Sequence, residues 1–110
     1  MPHIRMRGLP QEAVKIMSGS LLEKLANICH SNSDSFTLDW IPSVSYRHQE
    51  VDQHFVQVEV LWFPKTPETH HDVEQAIRES ILTVHSQARH IAVIFMALEP
   101  SCYYRDGHHF

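Results

Sequence analysis

The chain has 110 residues and a formal net charge of −4, with 9 Lys plus Arg against 13 Asp plus Glu. That length is one domain of sequence, and the acidic balance excludes a non-specific nucleic-acid binder that needs a basic face. No apolar run approaches the roughly 20 residues that cross a bilayer, and the N-terminus has neither the apolar stretch nor the cleavage site of a secretory signal, so a cytoplasmic protein with no membrane partner is expected.

Pro2-His3-Ile4-Arg5-Met6-Arg7 reads as a short first strand, with Arg5 and Arg7 sharing the face opposite Ile4 and Met6. Gly8-Leu9-Pro10 breaks it, and Pro10 suits the first turn of a helix. Val14, Met17, Leu21, Leu25 and Ile28 then recur at steps of three and four, which predicts one amphipathic helix from about Pro10 to His30. Ser31 to Ser35 is a loop, Phe36 to Ile41 a second strand ended by Pro42, and the polar stretch Ser43 to Gln53 is either a hairpin arm or a flexible connection.

The scheme then repeats. His54 to Phe63 alternates at first and becomes wholly apolar, as a central strand does when it passes under a helix. Thr66 is placed to cap a helix that has Pro67 in its first turn and Val73, Ala76, Ile77, Ile81, Val84 and Ala88 as its apolar stripe. His90 to Leu98 predicts a fourth, buried strand, and Asp106-Gly107 a turn in a tail that also carries Tyr103, Tyr104 and Arg105.

Two β-α-β units over residues 1–110, read as a single domain, predict an α+β fold: a four-stranded mixed sheet with both helices on one face. A ferredoxin-like split β-α-β uses the same order of elements. Either way one sheet face stays bare, and self-association is the economical cover for its Val, Leu and Phe side chains. Cys29 and Cys102 form no CxxC and read as two free thiols in a reducing compartment. The 10 histidines include no pair four residues apart of the HExxH kind, so no metal or cofactor is expected, although charge should vary in mild acid.

The chemistry-bearing feature is Met1-Pro2. If Met1 is removed, as a small second residue permits, Pro2 becomes a free secondary amine. An α-amino group titrates near 8, roughly, when exposed, and burial lowers that value toward neutrality, where the group can act as a proton shuttle.

The N-terminal Met-Pro, the six-residue first strand, the doubled β-α-β plan and the aromatic tail together resemble the tautomerase superfamily, which includes 4-oxalocrotonate tautomerase and macrophage migration inhibitory factor. Pro2 to Gly8, Val58 to Phe63, Ala97-Leu98-Glu99, Tyr103-Tyr104 and Phe110 look more narrowly like a small bacterial family of unknown function within it. The resemblance implies a homotrimer whose sheets surround a channel, with Pro2 at the base of a pocket between subunits. It also implies that Pro2 moves a proton between carbon and oxygen of a small carbonyl acid. Relatives carry a Lys or Arg just after the first helix or at the start of the second strand. Here those stretches read His30-Ser31-Asn32 and Phe36-Thr37-Leu38, with no permanent cation, so Arg5, Arg7, Arg47 and Arg105 are the substitute cations to weigh, with Arg47, Arg105 or Tyr104 expected to hold the substrate oxygens. Two functions follow as expectations: a proline-based keto-enol tautomerase or isomerase, or a non-catalytic trimeric scaffold or small-ligand binding protein.

Overall fold

The computed structural model describes residues 2–110. Strand β1 (His3–Arg7) leads through α1 (Gln11–Met17) and α2 (Ser20–Cys29) to β2 (Thr37–Ile41). A hairpin of β3 (Ser45–Arg47) and β4 (Glu50–Asp52) follows, then β5 (Phe55–Trp62), α3 (Pro67–Val84) and β6 (His90–Ala97). The tail forms a second small hairpin, β7 (Tyr104–Arg105) and β8 (His108–His109).

The main sheet has the order β2-β1-β5-β6. β1 runs parallel to β2, β5 parallel to β6, and β1 antiparallel to β5, so the two β-α-β units meet back to back at the sheet centre. Alternation decides which residues face the helices. Ile4, Met6, Val56, Val58, Val60 and Trp62 are fully buried in one cluster with Val14, Met17, Leu21, Leu25, Val73, Ile77 and Ile81. Burying side chains of this kind is worth about 1.5–3 kcal/mol each, which makes this face the main source of stability.

Two expectations are corrected, and one open alternative is decided. The first helix is two helices, because Gly19 at φ −83°, ψ −93° interrupts the ladder between Met17 and Ser20 while the apolar stripe continues across the break. The fourth strand is not buried: β6 is an edge strand, and Ile94 and Met96 on its open side are 42% and 44% exposed. The stretch from Ser43 to Gln53 is a hairpin whose turn residues His48 and Gln49 both take positive φ, the backbone that matches strand twist in a tight hairpin.

Other expectations hold. Thr66 caps α3, its Oγ1 accepting from the Thr69 N–H at 3.2 Å, with Pro67 in the first turn. Asp106 and Gly107, at φ 54° and 89°, make the two-residue turn between β7 and β8. Trp62 lies in the core, and half-buried Trp40 donates its indole N–H to the Leu9 carbonyl at 2.8 Å, locking the β1–α1 connection onto β2. Cys29 and Cys102 are free, and burial pushes the Cys29 thiol up.

Candidate functional site

The N-terminus, the start of β2 and the tail converge at one corner of the sheet. Pro2 is buried, and its carbonyl accepts from the Thr37 N–H at 3.1 Å, which ties the chain start to β2. His3 follows on the open face. Its Nδ1 lies 2.7 Å from Thr37 Oγ1 and its Nε2 2.6 Å from the Tyr103 hydroxyl, and the His3 and Tyr103 rings stack at 5.7 Å. A neutral imidazole donates from one nitrogen and accepts at the other, and a hydroxyl at each end suits that state. Burial holds the His3 pKa below its ordinary value, assisted by positive charge that includes Arg105, while Asp39 pulls the other way. Phe63 and Phe110 close around Tyr103, with ring centroids 5.7 and 4.9 Å from it.

The sequence-derived candidates separate in space. Pro2 sits in this corner, and Arg105 in β7 is close enough for its charge to act on His3. Tyr104 is 64% exposed and packs edge-on against His109 at 5.5 Å; its neighbour Tyr103 is the tyrosine that reaches His3. Arg47 is on the β3–β4 hairpin, exposed, with its Nε 3.3 Å from Asp52 Oδ2. The His54 N–H, donated to Asp52 at 3.0 Å, together with Arg47 holds that carboxyl below its usual range. The tail lays Tyr103 and Phe110 on Phe63 of the same chain.

Sequence reading missed His3, Thr37 and Tyr103. The position of His3 directly after Pro2, on the polar side of an alternating strand, was the available signal. A 680 Å³ cleft bordered by Glu12, Lys15 and Trp40 lies between α1 and β2, and a 390 Å³ cleft under the hairpin is lined by Leu9, Val51, Asp52 and His85; Pro2 lines neither. Among the described residues no group of three or more His, Cys, Asp or Glu side chains is placed to hold a metal ion, and no helix is long and apolar enough to cross a membrane.

A mixed four-stranded sheet of this order, with its helices on one face, is the fold of macrophage migration inhibitory factor and of 4-OT. A migration inhibitory factor-like protein from Entamoeba histolytica superposes with a TM-score of 0.81 at 10% identity, over 99% of this chain and 98% of that one. A fused 4-OT, solved as an asymmetric trimer, does so with a TM-score of 0.81 at 8% identity, over 97% of this chain and 94% of that one. Within that fold the chain belongs to the DUF1904 family, described as a domain of unknown function, whose pattern it matches over residues 1–109. A DUF1904 domain from Sebaldella termitidis has a TM-score of 0.91 at 29% identity, each chain covered over 100% of its length. No curated protein matches the sequence.

Proposed function

We propose that this chain, once Met1 is removed, is a proline-based keto-enol tautomerase or isomerase of a small oxo acid. The observation that carries the reading is a buried Pro2 followed directly by His3, hydrogen-bonded to Thr37 and Tyr103, whose pKa burial lowers. As an internal residue Pro2 has an amide nitrogen with no basicity. As the first residue it has a secondary amine, whose protonated form burial disfavours, bringing its pKa below the ordinary value near 8, roughly.

In this reading the amine takes the proton from the carbon beside the substrate carbonyl. The C–H electron pair becomes the enolate double bond, donors hold the charge on oxygen, and the resulting ammonium returns the proton to the other position. No atoms or electrons are gained or lost. Arg105 is the candidate for the substrate carboxylate, with Tyr104 and Arg47 as further candidates that a neighbouring copy could contribute. The assembly belongs to the proposal: a closed trimer whose sheets meet, supported by the trimeric 4-OT of the same fold and by exposed Ile94 and Met96 on the open face. A cytoplasmic setting fits two unpaired thiols.

The test joins mass spectrometry of the mature N-terminus to turnover of phenylpyruvate enol. The reading expects a chain starting at Pro2, a sedimenting mass three times the 12.8 kDa of one chain, and a loss of about 10²–10⁴-fold in Pro2→Ala, the usual contribution of a general base. Retention of Met1 in the cell would remove the amine and the proposal with it. The absence of Lys or Arg from His30 to Asn32 and from Phe36 to Leu38 favours the second reading, a trimeric scaffold or small-ligand binder. That reading expects Pro2→Ala to leave ligand binding unchanged.

A further inference from the structure

The open sheet face carries a second constellation that the Pro2 chemistry does not use. Arg5 and Arg7 alternate with buried Ile4 and Met6 and so project from β1 on the uncovered side. With Ile41, Gln57 and Glu59 they line a cavity of about 160 Å³. That is room for about five waters at roughly 30 Å³ each, or for one phosphate or carboxylate group with part of its hydration.

The two arginines are differently partnered. Arg5 Nη1 is 3.3 Å from Glu59 Oε1, so its charge is matched by a carboxylate in the same cavity. Arg7 is half-buried, and its guanidinium bonds only neutral oxygens: Gln57 Oε1 at 2.9 Å and Ser45 Oγ at 3.5 Å. No Asp or Glu pairs with it among the described residues. Asp39 stands opposite Arg5 in the β1–β2 register and does not line the cavity. The cavity walls therefore hold two positive charges against one negative. A planar guanidinium partly withdrawn from water, with no anion of its own, is the group best suited to grip two oxygens of one oxyanion.

We propose that this cavity binds a small oxyanion, a phosphoryl or carboxylate group, with Arg7 as its principal ligand and Gln57 and Ser45 as the residues that orient the guanidinium. Arg7 lies five residues beyond Pro2 along β1, about 16 Å at the usual rise of roughly 3.3 Å per residue, so the site is separate from the N-terminal corner. It stands whether or not Pro2 is catalytic.

The test is titration of the full-length protein with inorganic phosphate and, separately, with malonate, followed by amide chemical shifts or calorimetry. Saturable binding of one or both is expected, and which anion binds more tightly identifies the source of the oxyanion. Arg7→Gln should weaken it at least tenfold, whereas Arg89→Gln, which removes one exposed positive charge elsewhere, should leave it within twofold. Gln57→Glu gives Arg7 an internal carboxylate and should abolish binding while the protein stays as stable as the parent, which separates loss of the site from loss of the fold. No saturable binding of either anion, equal losses in Arg7→Gln and Arg89→Gln, or undiminished binding in Gln57→Glu would each overturn the site.

Discussion

The two faces of the central sheet are built from the same strands by alternate residues, yet they do different work. Toward the helices β1 and β5 present Ile4, Met6, Val56, Val58, Val60 and Trp62, all buried and all apolar. Toward the open side the same strands present His3, Arg5, Arg7, Gln57 and Glu59, engaged in hydrogen bonds and an ion pair. Hydrophobic burial is non-directional and concentrated on the first face, so that face sets the fold; the second is held by directional polar contacts whose net worth is small, which leaves its residues available for chemistry. The open face is also less apolar than alternation alone suggests, so the drive for covering it rests on Leu61, Phe63, Ile94 and Met96 and not on the valines of β5.

The largest expected effect lies on the covered face. Trp62→Ala, at a fully buried position stacked on Phe95 at 4.9 Å, should cost about 3–5 kcal/mol in urea unfolding. If Glu59→Ala on the other face cost as much, the division of labour would collapse. Next comes the hinge between β1 and α1. Gly8 sits at φ 90°, and a Cβ there would run into the Phe55 carbonyl, so Gly8→Ala should cost about 1–3 kcal/mol from backbone strain alone, with the clash adding to it.

A pH experiment separates the corner from the rest of the open face. Because the folded pKa of His3 lies below its unfolded value of 6.5, the unfolded chain binds more protons as pH falls. The stability associated with neutral His3 is thus full above about 6.5 and is lost as the pH drops below it. His3→Gln should flatten the fall in urea midpoint between pH 7.5 and 5.5; an unchanged slope would assign the pH dependence to other histidines. The smallest effect belongs to Arg5–Glu59. The pair is partly exposed, with side chains 48% and 29% accessible, so a double-mutant cycle should return about 0.2–1 kcal/mol and shrink in high salt.

Much of the covered face was legible in the sequence, because alternation in Phe55 to Trp62 and the Thr66-Pro67 start of α3 are local signals. The Ser18–Gly19 break was not, since the Val14, Met17, Leu21, Leu25 spacing runs straight through it and periodicity registers side chains, not the backbone ladder. β6 read as buried because an apolar run does not reveal whether a strand is central or at the edge. The hairpin turn lacks the Asn-Gly signal and uses His48 and Gln49 at positive φ instead. At the candidate site Pro2 could be picked out from its position, but the Tyr103 contact with His3 spans 100 residues and leaves no local pattern. For the same reason nothing in the sequence distinguishes Tyr103 from Tyr104.

The central claim is that a processed Pro2 presents a basic amine at neutral pH. The most direct measurement is a ¹⁵N titration of the Pro2 nitrogen in protein isolated with its native N-terminus. The account predicts a secondary-amine signal that titrates below the ordinary α-amino value of roughly 8, because burial disfavours its charged form. A nitrogen that behaves as an amide throughout, with Met1 still attached, or an amine that titrates at or above that value would contradict it.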